Sequence, residues 1–595
     1  MKILLVAINA KYIHSNLAVL SLAAYAGEKL GRDKAGWDKG RQGAVDVKIE
    51  TVSYTINQPQ EQILADIYGR KPDLLLFSCY IWNRRQVGEL VADAGKVMPE
   101  VDIWLGGPEV SFDAEGALTE LPAVKGVMVG EGEETFYRLA KEYAGAFGGN
   151  EDVRGKPADP ALERVGGIIF RKSDGTIVVS GPPGRVDFAQ LPFPYGSMEE
   201  FENRIIYYES SRGCPFRCAY CLSAVDRALR YRDLEAVRTE LGYFLGKGVP
   251  QVKFVDRTFN CDSVRAMEIW RFLRERDNGV TNFHFEIAGD ILTEEELTLL
   301  RGLRPGQVQL EIGVQSTNEE TLREINRPVD IARLRSNVAS LRDAGNVHIH
   351  LDLIAGLPLE GYESFGRSFD DVFSMRPNQL QLGFLKVLKG TPMEERQERY
   401  GIRHTEAPPY EVLETRWISY GELVRLKRIE EMVEIYFNSG QFGGALDVLM
   451  ERFDSPFAFF ETLAGWYGSH QAVMVNMSRN QRYQRLMEFA DEMLSPDDLD
   501  RFMEAMVFDY YMRENVKTRP VFFGTETVEK SFSKEFYSME AREHRYLSGG
   551  RYDTDDPRLL RRLTHLEKAG GKYYLFDYER RDPVTGNACV AEVEC

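Results

Sequence analysis

The sequence predicts an α/β protein in three parts: a doubly wound, Rossmann-like N-terminal domain, a partial (β/α)6 barrel of TIM type, and a mostly helical C-terminal domain. Two successive series of short apolar runs, separated by helical patterns, predict the first two parts. A third stretch, helical in periodicity and rich in aromatic and methionine residues, predicts the last. The expected boundaries are 1–150, a hairpin and linker at 151–200, the barrel at 201–400 and the helical part at 401–595.

Residues 1 to about 146 carry apolar runs at 3–8, 45–52, 74–77, 101–105 and 127–129, with helical patterns such as 16–30 and 84–97 between them. Such alternation implies a parallel sheet, and ligands bind such sheets at the carboxyl ends of the strands. Residues 166–179 read as a hairpin with Asp174 and Gly175 at its turn. Leu191-Pro192-Phe193-Pro194 is a stiff boundary. Strand patterns then recur at 205–209, 251–256, 283–287, 308–314, 348–354 and 380–387, with helical patterns between them, and chemistry in such a barrel sits on the carboxyl-end loops. Helices are expected at 410–439, 443–449, 457–467, 471–494 and 496–513, and a short terminal hairpin at 572–578 and 588–593.

The totals exclude several classes. A net charge of −18 over 595 residues argues against a whole-protein grip on nucleic acid. No apolar run is long enough to span a bilayer, so no membrane partner is expected. The opening MKILLVAINA reads as a first strand and not a signal peptide, and the expected location is cytoplasmic. Seven cysteines make no disulfide framework, but three of them fall within eight residues.

Those three are Cys214, Cys218 and Cys221, on a loop between a strand and a helical pattern. Three thiolates on one tight loop can ligate three irons of a cubane cluster and leave the fourth iron open. A zinc loop completed by His284 or Cys261 is the other reading, although zinc sites usually pair one C-x-x-C with a second. The segment Ser211-Arg212-Gly213-Cys214-Pro215-Phe216-Arg217-Cys218-Ala219-Tyr220-Cys221 resembles the signature of the radical S-adenosylmethionine (SAM) superfamily. The closest subgroup contains oxygen-independent coproporphyrinogen oxidase and the cobalamin-binding enzymes. The resemblance implies a [4Fe–4S] cluster on the three cysteines and SAM at the open iron.

It also implies SAM contacts further on. Asp256 and Thr258 occupy the strand end where the family has glycines meeting the SAM amino group, and Asp256 would offer a side-chain acceptor there. Glu286 and Asp352 match carboxylates on the SAM ribose, and Gln315, beside Ser316, matches a polar contact. Arg327 matches an arginine paired with the SAM carboxylate. The residue types suit these tasks, since a carboxylate accepts two hydroxyls and a guanidinium grips a carboxylate bidentately. Read blandly, Arg327 is a helix-end cation, and Glu286 and Asp352 are interior ion pairs.

In the N-terminal part, Gly106-Gly107-Pro108-Glu109 ends one strand and Gly130-Glu131-Gly132-Glu133-Glu134 the next, while residues 9–16 follow the first. Glycines at strand ends let a flat ligand approach the backbone. The pair of loops resembles the cobalamin-binding domain that precedes many radical SAM barrels. The resemblance implies cobalamin contacts at Asn9, Ser15, Asn16, Gly106, Gly107, Gly130, Glu131 and Gly132. The Asp-x-His-x-x-Gly motif of many such domains is absent, so the expectation is base-off cobalamin without histidine on cobalt, His14 being the lesser alternative. Tyr80 and Trp82 could cover the corrin or fill a core.

The expected activity is that of a cobalamin-dependent radical SAM enzyme. It would cleave SAM reductively to a 5′-deoxyadenosyl radical and methylate an unactivated carbon through methylcobalamin. The rivals are a cyclising, oxidising or rearranging enzyme without methyl transfer, and a non-catalytic corrinoid or metal-binding sensor. A methylthiotransferase-like tRNA modifier would carry more cysteines before the barrel than Cys79. The substrate class (small molecule, peptide or RNA base) stays open, as does oligomeric state. An external electron donor such as flavodoxin or ferredoxin is implied. The C-terminal part resembles an uncharacterised companion domain and adds no chemistry.

Overall fold

The computed structural model describes residues 1–595 apart from 37–45, 148–159, 227, 471–476, 517, 525–527 and 595. The chain forms two compact units, Met1–Glu286 with Lys386–Val412, and Ile287–Leu385 with Leu413–Cys595.

The first unit opens with a seven-stranded sheet. Its strands are β1 (Lys2–Asn9), β2 (Lys48–Thr55), β3 (Leu74–Ser78), β4 (Asp102–Gly106), β5 (Val124–Met128), β6 (Ile168–Arg171) and β7 (Ile177–Val179), ordered β2-β1-β3-β4-β5-β6-β7. The first five are parallel, and the β6–β7 hairpin adds antiparallel. Ile3, Leu5 and Ala7 enter one core with Leu74, Leu76 and Trp104. Leu4, Val6 and Ile8 enter the other with Leu75, Phe77 and Leu105. A strand buried on both faces needs an apolar side chain at every position, which is why these strands appear as runs in the sequence.

Two strands differ from expectation. The expected start of the second, Val45, lies outside the described residues, and the strand continues to Thr55. The fifth starts at Val124 and not at 127, because Gly126 interrupts the apolar run. A Cβ on Gly126 would lie 2.4 Å from the Trp104 ring, so close packing requires glycine there.

Next come β8 (Ile206–Tyr208), the two-residue β9 (Ser211–Arg212) and β10 (Arg230–Tyr231), β11 (Gln251–Phe254) and β12 (Asn282–Ile287). β8, β11 and β12 pair in parallel, and β9 pairs antiparallel with β10. In the second unit β13 (Val308–Gln315), β14 (His348–Ala355) and β15 (Gln379–Phe384) pair in parallel. Helices Leu234–Gly246, Ser263–Glu275, Glu294–Arg301, Ile331–Ala344 and Tyr362–Phe373 alternate with these strands along the chain, as a partial (β/α)6 barrel requires.

The expected helix 410–439 is corrected. Short strand β17 (Val412–Glu414), paired with β16 (Arg403–His404), occupies its start, and the helix begins at Tyr420. Tyr410 has φ +57°, outside the helical region, and Ser419 with Glu422 forms a capping box where the helix does start. Helices Gly443–Met450, Pro456–Ser469, Arg479–Met493 and Pro496–Arg513 follow. The first six residues of the expected helix 471–494 lie outside the described residues. The end of the chain also differs. β18 (Thr564–Ala569) joins β19 (Lys572–Arg581) and β20 (Ala588–Val593) in a three-stranded antiparallel sheet, packed on helix Lys530–Glu543 through Phe536, Tyr537 and Leu566. Among the described residues no helix is long and apolar enough to cross a membrane.

β1 has β2 on one side and β3 on the other, so the strand order reverses there and a crevice opens at the carboxyl ends. Asn83, fully buried, ties the crevice wall together. Its Nδ2 donates to the Ile8 and Ser78 carbonyls, each at 2.9 Å, and its Oδ1 accepts from the Tyr80 amide at 2.8 Å. Asn83→Ala strands these groups in the interior and is expected to cost about 2–4 kcal/mol. The check is a thermal midpoint several degrees lower by calorimetry.

Candidate functional site

The cysteine loop leaves β9 directly. Gly213 has φ +95°, and a Cβ there would lie 2.6 Å from the Ala228 carbonyl oxygen, so glycine lets the chain turn beneath its own return. The Cys214 amide then donates to Asp226 O at 3.2 Å, and the Cys221 amide to Cys218 O at 3.2 Å. Cys214 and Cys218 are buried and Cys221 is half-buried, all as free thiols. Burial pushes the Cys214 thiol up, a backbone hydrogen bond at Phe216 opposes this, and the nearby Cys221 and Cys218 add to the rise. Three clustered buried thiolates are unfavourable by themselves and become favourable on cationic iron, so this donor set fits a cluster. Among the described residues no three metal-ligating side chains converge as a single ion requires. A cubane takes one thiolate on each of three irons and leaves the fourth open.

Asp256 holds the base of this loop. It is buried, accepting from the Ser210 amide at 3.0 Å, the Ser210 hydroxyl at 2.6 Å and the Ser211 hydroxyl at 2.7 Å. Burial pushes its carboxyl up to about 6, against the pull of those donors. Its hydrogen bonds thus go to the strand entering the cysteine loop, a role the local sequence did not signal. Thr258 accepts the Cys261 amide on its carbonyl at 3.2 Å.

A cavity of about 930 Å³ lies at the carboxyl ends of the N-terminal sheet. Asn9, Ser15 and Asn16 line it after β1, Gly106 and Gly107 after β4, and Gly130, Glu131 and Gly132 after β5. All the residues singled out in these loops therefore share one space. Gly107 has φ +109°, and a Cβ would lie 2.4 Å from Cys79 O. At Gly132 a Cβ would lie 2.9 Å from Leu22. The rings of Tyr80 and Trp82 stack at 4.3 Å on the cavity wall, a surface suited to a flat ligand. A broad, glycine-edged, aromatic-walled space at a switch point fits a corrin. His14 also lines it, but its Nδ1 is 2.7 Å from the Tyr207 hydroxyl. Burial, then Lys11 and Lys253, lower its pKa.

The same cavity is walled by Tyr207, Glu209, Arg212, Gly213, Leu222 and Arg257 from the second βα series. Arg212 makes the join. It reaches Glu133 from Nη1 at 3.2 Å and Nη2 at 2.8 Å, and Glu209 from Nε at 2.9 Å and Nη2 at 2.8 Å. Arg230 adds Glu131 at 3.0 Å and Asp226 at 2.8 Å. Burial alone would raise the Glu133 carboxyl, but the Arg212 charge holds it below its ordinary range. Glu131 thus lines the cavity while bound to the second series. Lone acidic residues in a glycine loop gave no sign of that partner.

The remaining candidates are distributed by unit. In the first, Glu286 pairs with the Arg257 guanidinium, with Lys253 Nζ at 3.9 Å. In the second, Gln315 has φ +73° at a register shift in β13, beside Gly313, and Arg327 Nε donates to Gly313 O at 3.1 Å. A non-glycine residue held at positive φ is a site where the surroundings over-determine the backbone. Asp352 Oδ1 lies 3.0 Å from His350 Nε2. Ser316 is fully buried and donates to Glu360 Oε1 at 2.8 Å, as does Ser368.

Three family models match the chain in succession. "B12 binding domain" covers residues 3–140, "Radical SAM superfamily" residues 208–372, and "Protein of unknown function (DUF4080)" residues 398–579. The chain is 26% identical over 448 residues to the 2-(S-pantetheinyl)-carbapenam-3-carboxylate methyltransferase of Streptantibioticus cattleyicolor, covering 67% of this chain and 62% of that protein. It is 27% identical over 365 residues to the cobalamin-dependent radical SAM methyltransferase TokK of Streptomyces tokunonensis, covering 56% and 50%. The chain thus spans 50–62% of the length of these curated relatives. In fold it is similar to the radical SAM methyltransferase TsrM of Kitasatospora setae, solved with cobalamin and a [4Fe–4S] cluster, at TM-score 0.53 and 17% identity over 69% of this chain and 81% of that one. A B12-binding domain, a radical SAM domain and a region of unknown function are therefore joined in this chain. The first two of these regions name B12 and SAM as cofactors.

Asp256→Ala leaves three buried donors without an acceptor at the root of the cysteine loop. After anaerobic reconstitution and desalting, iron per chain should fall to less than about half that of the wild type, since an unpaired buried donor costs on the order of 1–3 kcal/mol. Glu360 carries a second prediction. Burial raises its carboxyl from 4.5 to about 7. The folded state therefore holds a proton between those values that the unfolded state has lost, and stability falls as pH rises through that window, by up to about 3 kcal/mol. A pH series of thermal midpoints should show this slope in wild type and its loss in Glu360→Gln.

Proposed function

We propose that this cobalamin-binding radical SAM protein is an enzyme that cleaves SAM reductively and methylates an unactivated carbon of its substrate. The observation that carries the proposal is the shared cavity. The glycine loops of the N-terminal sheet and the residues flanking the cysteine loop wall one space. A corrin in that space and a cluster on Cys214, Cys218 and Cys221 would therefore face a common substrate. Both relatives described above are methyltransferases by name.

Once bound, the cluster supplies an electron to the SAM sulfonium, and cobalamin carries the methyl group. The chain's own residues bind, orient and exclude water. Cys214, Cys218 and Cys221 would hold the cluster on a loop fixed by Asp256. Asn9, Ser15, Asn16, Gly106, Gly107, Gly130, Glu131 and Gly132 would bound the corrin. Glu286 and Asp352 would accept the ribose hydroxyls of SAM, Gln315 would add a polar contact, and Arg327 would grip its carboxylate. In this reading Glu286 shares its carboxylate between Arg257 and the ribose, and Arg327 turns part of its guanidinium away from Gly313 O. The electron would come from an external donor such as a flavodoxin or ferredoxin. The substrate would be a small molecule, a peptide or an RNA base.

The test is anaerobic reconstitution with iron, sulfide and hydroxocobalamin, then product analysis with SAM and dithionite. Methyl transfer yields 5′-deoxyadenosine and S-adenosylhomocysteine in equal amounts, whereas deoxyadenosine alone marks a cyclising, oxidising or rearranging enzyme. Cys218→Ala should abolish deoxyadenosine formation and leave hydroxocobalamin binding intact. A Cys218→Ala protein that cleaves SAM at the wild-type rate rules the proposal out.

A further inference from the structure

The region of unknown function begins inside a segment that belongs to the first unit. Residues Lys386–Val412 form a strap in that unit, and the matched region starts at residue 398. The strap is closed on itself, with the Val387 amide donating to Tyr410 O at 3.0 Å and the Thr405 amide to Glu411 O at 2.9 Å. Two of its side chains reach the loop at 106–113. The Tyr410 hydroxyl donates to Glu109, both residues being buried, and Lys389 Nζ reaches Asp113 Oδ2 at 2.7 Å. Gly390 lies under Phe112, where a Cβ would come within 2.3 Å of the ring. One backbone bond reaches the cysteine loop, from the Met393 amide to Ala219 O at 2.9 Å, between Cys218 and Cys221.

The loop at 106–113 supplies Gly106, Gly107, Pro108, Ser111 and Phe112 to the cavity wall. The strap touches it from outside the cavity. Tyr410 is not among the cavity-lining residues, and it cannot contact a ligand there directly. Its hydroxyl satisfies a carboxylate on a helix of four residues, Pro108–Ser111, too short to hold its place unaided. The Lys389–Asp113 pair is partly exposed and contributes little. The buried Tyr410–Glu109 contact is the stronger tie.

We infer that the strap holds the corrin-side loop in its binding conformation, with Tyr410 as the positioning residue acting through Glu109. The inference rests on the cobalamin reading above. It assigns the first part of the region of unknown function to shaping the corrin site.

The experiment titrates the full-length, anaerobically reconstituted protein with hydroxocobalamin and follows the bound corrinoid after rapid filtration. Tyr410→Phe is expected to weaken binding about tenfold, as loss of a hydrogen bond to a charged group would. Iron content and thermal midpoint should stay near wild type. Glu109→Gln keeps an acceptor for the hydroxyl and should bind within about threefold of wild type. Hydrogen–deuterium exchange provides a second readout that needs no variant. Hydroxocobalamin should slow exchange in residues 106–113 and 386–412 together. Wild-type protein that does not bind hydroxocobalamin overturns the cobalamin reading and this inference with it. Wild-type binding overturns this inference alone in two cases. One is a Tyr410→Phe protein that binds equally well. The other is corrinoid that protects residues 106–113 and leaves the strap unchanged.

Discussion

One guanidinium, that of Arg212, makes a single site out of two sheets. It sits two residues before Cys214 and is shared between Glu209, between β8 and β9, and Glu133 at the head of a helix of the N-terminal part. Such a buried cluster has a large desolvation cost, repaid only when the geometry is good and every oxygen is used. Here the fork is bidentate to both carboxylates, the arrangement that arginine makes and lysine cannot. The buried cluster therefore fixes distance and orientation more than it adds stability. It places the strand entering the cysteine loop against the glycine loops, and the cavity takes its shape from that.

The supports of this join are graded by depth. Asp256 lies behind it, fully buried, and holds Ser210 and Ser211. Arg230 lies in front, tying Glu131 to Asp226. The strap lies to the side. Each uses polar side chains from elsewhere in the chain to fix a loop or the short element beside it. That is how irregular loops can be precise: their amides and carbonyls are satisfied by side chains from elsewhere. The N-terminal sheet has the opposite logic. Its strands are apolar on both faces, and position follows from burial.

This division explains what could be read from the sequence. The sheet was legible because continuous apolar runs imply strands covered on both sides. The cysteine loop was legible because its spacing is local. The loops after β4 and β5 were legible because glycines repeated at two strand ends mark a close approach to the backbone. Partners distant in sequence were not. Asp256 reads as a ligand contact, and its hydrogen bonds to Ser210 and Ser211, some 45 residues away, could not be read. Glu131 reads as a cobalamin contact, and its bond to Arg230, about a hundred residues away, could not be read. Tyr410 reads as the start of a helix, but its backbone is held at φ +57° and its carbonyl accepts from the distant Val387 amide. In each case the deciding contact is non-local, and no window of sequence contains it.

The order in which the chain is made gives the strap a further meaning. A ribosome extends a chain by about 5–20 residues each second. The N-terminal sheet is fully translated well before the cysteine loop, and the cysteine loop well before Tyr410. An emerging chain thus displays the glycine loops first, then the thiols, and only later the segment that braces them both. A corrin ring that entered early would find an open trough, while one that entered after residue 412 would find a braced pocket. The braced form of the pocket therefore depends on the chain having been made through residue 412.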